Sequence, residues 1–236
     1  MTSKPPLTFT SLNLQGFEDW EQRSPRILEF LAQTNPDVIL FQETVFLPDV
    51  SPHNQAQLLN QTLHYPFEVS TISRLQSSPR HPVYREGLAI LSKHPITASD
   101  TLILKKDDND EHSRILQLID ITVDDTVVRL GNVHFSVTDI VDYATPQLKE
   151  TLDILDARHE KRVLMGDFNL THLEESASLW EGNYSSTADT PYISYPSTHK
   201  RIDYALVPNE YKLLETSVSG DDLSDHRALT VKVDVS

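Results

Sequence analysis

Arg162-Val163-Leu164-Met165-Gly166-Asp167-Phe168-Asn169 joins an apolar run to a polar end. A continuous apolar run suits a strand buried on both faces. Alternation along that strand aims Asp167 and Asn169 the same way while Phe168 turns into the packing. One anion and one amide at a strand mouth suit the activation of water beside a phosphate. Taken alone, the Gly-Asp-Phe-Asn tetrapeptide is equally consistent with a turn, so the rest of the chain has to decide.

Working outward, residues 37–43 form a second continuous apolar run, closed by Gln42 and Glu43, and read as another buried strand whose end emerges at a surface. Residues 7–14 alternate as a strand does, and residues 17–32 space Trp20, Ile27, Leu28, Phe30 and Leu31 as a helix does, with Pro25 near its beginning. Residues 51–63 are helical in pattern. Short β-rich segments follow at 67–73, 87–92, 96–104, 114–123 and 127–135, with hairpin turns at 105–111 and 124–125. Thr145-Pro146 opens a second long helix, with Thr145 as N-cap and Pro146 at the first helical position, ending near Lys161. Residues 173–179 read as a short helix, and 202–207, 213–218 and 228–235 as closing strands. Two β-rich halves, each with helices, predict an α/β fold of two sheets packed face to face with helices outside, one domain over residues 1–236. Residues 79–82 and 189–199 are the expected mobile loops.

Composition narrows the chemistry. Of 236 residues, 38% are apolar and 23% charged, enough for a folded core. The formal net charge of −15 argues against broad clamping of a nucleic-acid duplex unless basic residues gather on one face. There is no cysteine, which excludes disulfides, thiolate nucleophiles and thiolate metal sites, so any metal must sit on oxygen or imidazole. No apolar run approaches the ~20 residues of a membrane span, and the start Met1-Thr2-Ser3-Lys4-Pro5-Pro6 lacks the apolar stretch of a secretory signal, so a cytoplasmic location is expected. The six glycines are too far apart for a phosphate loop or a dinucleotide fingerprint.

Several residues carry chemistry. Asp203, in Arg201-Ile202-Asp203-Tyr204, and His226, in Ser224-Asp225-His226, form a candidate pair, because a buried carboxylate fixes the imidazole tautomer and favours the protonated ring. Glu43, Asp225 and Asn13 offer the hard oxygens that Mg²⁺ takes alongside water and phosphate oxygens. A zinc-protease motif is absent, since His159-Glu160 is followed by Val163 where a second His would stand. Glu86 and His134 form a further possible pair. The acidic segment at 105–111 reads as a solvated hairpin tip and not as a Ca²⁺ loop. His199-Lys200-Arg201 is the densest basic cluster, able to meet a flanking phosphate, and Trp20 and Trp180 read as core anchors.

In chain order, Asn13, Gln42-Glu43, Glu86-Gly87-Leu88-Ala89-Ile90-Leu91-Ser92, Asn132-Val133-His134, Gly166-Asp167-Phe168-Asn169, Arg201-Ile202-Asp203-Tyr204 and Ser224-Asp225-His226 resemble the motif series of the endonuclease/exonuclease/phosphatase superfamily. The resemblance covers nearly the whole chain. It implies a four-layer, deoxyribonuclease I-like sandwich and a Mg²⁺-dependent attack of water on phosphorus, with Mn²⁺ as a substitute. By it, Glu43 would hold the metal with Asn13 and Asp225 close by, Asp167 would orient or deprotonate the water, Asn169 would bind a phosphoryl oxygen, and Asp203 would orient His226. His134 stands where abasic-site endonucleases carry a Tyr, which points to the His-bearing branch, where the nuclease pairs that His with a Glu resembling Glu86. Tyr84 and Arg114 resemble nucleic-acid contacts of deoxyribonuclease I, and Arg201 belongs to the basic cluster. The expected activity is a nuclease-like phosphodiesterase, with a phosphatase or phosphodiesterase of a small or lipid phosphoester as the alternative and a non-catalytic binding module as the remaining class. The expected partner is a phosphoester substrate, nucleic acid among the candidates, and the expected state is a monomer.

Overall fold

In the computed structural model, the described residues are 5–81, 83–106, 108, 110–137 and 143–236. Pro82 of the expected loop, Asp107 and Asn109 of the acidic turn, and the first four residues lie outside them.

The first sheet orders its strands β11-β12-β1-β2-β4-β3, from β1 (Leu7–Asn13), β2 (Val38–Phe46), β3 (Phe67–Gln76), β4 (Tyr84–Ser92), β11 (Lys212–Val218) and β12 (Leu229–Asp234). The second orders β5-β6-β7-β8-β10-β9, from β5 (Ile96–Leu104), β6 (Arg114–Val123), β7 (Thr126–His134), β8 (Val163–Asp167), β9 (Tyr184–Ser186) and β10 (Asp203–Pro208). β1–β2 and β7–β8 are parallel, and the other pairs are antiparallel.

Three apolar clusters fix the layers. Phe9, Leu40, Ile119, Met165 and Val231 belong to the core shared by both sheets. Helices α1 (Trp20–Thr34) and α2 (Gln55–Leu63) press Ile27, Leu31 and Leu59 onto the outer face of the first sheet. On the second sheet, Leu148 and Leu155 of α3 (Ala144–Ala157) and Trp180 of the one-turn α4 (Ala177–Trp180) join Phe135, Phe168 and Tyr204. The result is the expected four-layer sandwich.

A polar layer runs through this apolar interior. Asn132, fully buried on β7, accepts from Gln42 Nε2 at 2.7 Å and donates to Gln117 Oε1 at 3.2 Å and to the Phe41 carbonyl at 3.0 Å. One side chain therefore bonds β2 of the first sheet to β6 and β7 of the second.

The elements differ from the sequence reading where local geometry intervenes. β2 does not end at Glu43: that residue takes φ 51° at a bulge between Phe41 and Thr44, and the strand goes on to Phe46. The bulge adds a residue on one strand only and re-aims its side chain. The α3 N-cap is Tyr143 and not Thr145, and the helix stops at Ala157, where the chain turns through His159 at φ 55°. Residues 173–179 form a 3₁₀ turn, Leu173–Ser176, before α4. β9 is too short to show a period. Residues 189–199, expected to be mobile, include a buried Ser194 and a Tyr195–Lys200 bridge. The acidic turn is not uniformly solvated either, since Asp110 is 4% exposed.

Candidate active site

Strand register assembles the centre. His134 stands opposite Asp167 across β7–β8, and Asp203 stands opposite Asp167 across β10–β8, so three strands deliver their ionisable residues in one row. Neighbouring strands lie about 4.8 Å apart, and register partners project to the same face. Asn13 reaches this row from the other sheet, its Nδ2 donating to Asp167 Oδ2 at 3.1 Å. Asp167 Oδ1 accepts from the Asn169 backbone N–H at 3.0 Å. Two imidazoles flank the same carboxylate, with Nε2 of His134 at 3.6 Å and Nε2 of His226 at 3.7 Å from Oδ2. The expected Asp203–His226 pair is present, Asp203 Oδ2 lying 2.8 Å from His226 Nδ1. The bulge at Glu43 brings its Oε1 to 3.9 Å from His134 Nε2.

The two imidazoles are driven in opposite directions. Burial pulls the His226 pKa down, but the Asp203 and Asp167 carboxylates outweigh it and raise the value to about 10, so the ring is an imidazolium at neutral pH. His134 is held well below its ordinary value by burial first and then by the Arg114 and Arg74 guanidiniums, so its ring is neutral. Burial pushes Asp167 up, against the charge of His226 and the hydrogen bonds from Asn169 and Asn13. A carboxylate with a raised pKa is a better proton acceptor near neutrality than an ordinary aspartate.

Several anticipated residues stand elsewhere or act otherwise. Glu86 is not the partner of His134: Arg74, its register partner across β3–β4, forms an ion pair with it, while burial lifts its carboxyl to about 7. Arg114 is not an open phosphate contact; it is 5% exposed, with Nε 3.4 Å from Asp110 Oδ2, and the same carboxylate oxygen accepts from the Ser136 hydroxyl. Arg201 is held away from the cleft, donating to Thr190 O at 2.8 Å and Glu174 Oε2 at 3.2 Å with the Tyr192 and Tyr204 rings each 5.4 Å from its guanidinium carbon. Its neighbour Lys200 lines the cleft instead. Tyr84 is half-buried, edge-on to Phe17 at 5.2 Å. Asn13 has both ends of its amide engaged, Oδ1 accepting from the Gln15 N–H at 2.9 Å, so it orients Asp167 more directly than it offers a ligand. Asn169 lines the cleft, and its Nδ2 donates to Phe135 O at 2.8 Å.

The cleft has a volume of about 920 Å³, with Glu43, His134, Asp167, Asp225 and His226 in its wall. Beyond the ionisable row it is bordered by Lys200, from the basic cluster expected to meet a flanking phosphate, and by Tyr143, His172 and Tyr195, which the sequence reading assigned to no site. Among the described residues, Asp167, Asp203 and His226 bring ligand atoms within 4.8 Å of one another. All three are buried, and Asp203 and His226 already satisfy each other. Glu43 and Asp225 are the half-exposed carboxylates turned to the cleft, and hard oxygens of that kind suit a hard divalent cation.

No curated protein sequence matches the chain. A structure described as an endonuclease/exonuclease/phosphatase from Beutenbergia cavernae superposes with a TM-score of 0.79 at 18% identity, covering 98% of this chain and 72% of that one. The human Nocturnin catalytic domain gives 0.72 at 18% identity over 98% and 94% of the two chains. Sphingomyelinase C from Streptomyces griseocarneus gives 0.66 at 20% identity over 97% and 99%. Residues 10–226 match the Endonuclease/Exonuclease/phosphatase family. On this match, with a sandwich of the same fold around a buried Asp167 flanked by two imidazoles, the chain belongs to the endonuclease/exonuclease/phosphatase family.

Proposed function

We propose that this protein is a Mg²⁺-dependent phosphodiesterase of the His-bearing branch, nuclease-like in its chemistry, which breaks a P–O bond by in-line attack of water. The observation that carries the reading is Asp167, buried and bonded to Asn13, between His134 and a His226 braced by Asp203. Asp167 takes the proton of the attacking water. The His226 imidazolium faces a phosphoryl oxygen and stabilises the negative charge that accumulates there, a contact stronger in the transition state than in the substrate. Asn169, with one amide N–H given to Phe135, would offer the other to a second phosphoryl oxygen.

Glu43 and Asp225 would hold the metal, their hard oxygens fitting Mg²⁺ or Mn²⁺. When bound, a divalent cation of this kind polarises the phosphoryl oxygen and neutralises charge on the reacting group.

One observation favours the second reading, a small-molecule or lipid phosphoester. The cleft volume of about 920 Å³ lies in the range of sites that enclose a compact ligand, and Arg114 and Arg201, anticipated as phosphate contacts, are engaged within the protein. Hydrolysis of bis-p-nitrophenyl phosphate, p-nitrophenyl phosphate and a single-stranded oligonucleotide, each with and without Mg²⁺, separates the two. Diester and oligonucleotide cleavage supports the first reading, and monoester preference moves the assignment to the second. His226→Ala and Asp167→Asn should each lose about 10²-fold or more in turnover under conditions where circular dichroism shows the variant folded, and Glu43→Gln should raise the Mg²⁺ concentration needed for half-maximal rate. Turnover at wild-type level in either of the first two variants overturns the mechanism.

A further inference from the structure

We infer that Ser194 and Tyr195 are the positioning element of the Asp203–His226 couple, with the Tyr195 ring holding the plane of the imidazole so that Nε2 stays aimed into the cleft. The inference rests on reading that couple as catalytic, and it concerns residues whose sequence context gave no sign of a role.

Ser194 is fully buried and bonded to both sides of the couple. Its hydroxyl oxygen accepts from the backbone N–H of Ile202 and of Asp203, at 3.0 Å each. Its carbonyl accepts from the backbone N–H of Arg227 at 2.7 Å. One residue thus ties the start of the strand carrying Asp203 to the segment carrying His226, 23 positions further on.

Tyr195 follows directly and is clamped in its turn. Its N–H donates to Lys200 O at 2.9 Å, and Lys200 N–H donates back to Tyr195 O at 3.1 Å, closing the loop at its neck. The ring centroid lies 4.9 Å from that of His226, with the planes at 52°. An imidazole held by a single Nδ1 hydrogen bond can still rock about that bond. The hydrogen bond to Asp203 fixes one edge, the tilted Tyr195 ring packs beside the imidazole and limits that rocking, and Nε2 is left 3.7 Å from Asp167 Oδ2.

Tyr195→Leu and Tyr195→Phe test the role, with turnover measured on the best substrate and the Nδ1-bound proton of His226 followed by proton NMR in water. Removing the ring should lower kcat about 10- to 100-fold, the scale of a misaligned catalytic group, with KM within about twofold. Tyr195→Phe, which keeps the ring, should restore kcat to near wild type. The Nδ1 proton should give a downfield resonance in wild type and in Tyr195→Phe, and be broadened away in Tyr195→Leu. Wild-type kcat in Tyr195→Leu overturns the inference, as does a rise in KM at constant kcat, which would make Tyr195 a substrate wall. A loss in Tyr195→Phe as large as in Tyr195→Leu assigns the effect to the hydroxyl and overturns it too. Should the wild-type protein hydrolyse no phosphoester, the functional reading fails separately. The NMR comparison then decides the positioning alone, with an equal resonance in all three proteins as the overturning result.

Discussion

Histidines 134 and 226 are the same side chain in opposite states. Both lie near Asp167, but His226 also has Asp203 at 2.8 Å, whereas His134 looks toward the Arg74 and Arg114 guanidiniums. The His226 couple has a consequence for stability. Its folded pKa of about 10 lies above the 6.5 of an ordinary imidazole, so the folded state binds this proton more tightly than the unfolded chain does. The stabilisation is complete below about 6.5 and is lost as pH rises through about 10. Urea unfolding of the wild type and of His226→Gln at pH 6, 8 and 10.5 should show a stability gap that narrows as pH rises. A gap that stayed constant or widened would contradict the ion pair. Among these residues, the acids and imidazoles were legible in the sequence because their chemistry is intrinsic. Arg74 was not: its value comes wholly from standing opposite Glu86 on a neighbouring strand.

At the scale of elements, β7, β8 and β10 act as a ruler whose register sets the spacing of His134, Asp167 and Asp203. Gly166 protects that register. Its φ is 148°, and a Cβ there would stand 2.0 Å from the Val133 carbonyl oxygen, on the strand that carries His134. Gly166→Ala should therefore cost more than about 1 kcal/mol by thermal or urea unfolding, and should lower turnover as well, because Asp167 is the next residue. Gly182→Ala, where nothing lies within 4 Å of a Cβ, is the control and should stay within about 0.5 kcal/mol. Equal effects from the two substitutions would remove the close-approach argument. Strands β2 and β8 could be read from their apolar runs, since burial on two faces leaves an unbroken pattern, whereas β1 showed in its alternation and β6 and β7 in their β-rich composition between turns. The bulge at Glu43 could not, because φ above zero at a Glu is chosen by the pairing of β2 with β4 and not by the residue.

Across the whole molecule, the site exists only because two sheets close on each other. Asn13 crosses from one sheet to reach Asp167 on the other, and deeper in, Asn132 ties the same two layers together through Gln42 and Gln117. Asn132→Ala would strand the Gln117 carbonyl in a dry interior, while the Gln42 amide would keep Ser11 Oγ and the Leu40 carbonyl as acceptors, so the loss should be about 1–3 kcal/mol for the one group left unpaired. Unfolding of that variant at unchanged stability would show that water or a rearranged neighbour replaces the bonds. What the sequence determined by itself was the inventory: apolar runs long enough for two sheets, helices between them, and acids, amides and imidazoles at strand ends in a family's order. These follow from side-chain chemistry and from periodicities that each segment carries on its own. Tertiary structure alone decided the partnerships. Glu86 went to Arg74 and not to His134, Arg201 settled between two tyrosines, Asp110 became a buried anchor, and Tyr195 came to rest against His226. The physical reason is that a charge or a ring takes its partner and its pKa from whatever packing brings within a few ångströms, and packing joins residues that the chain keeps far apart.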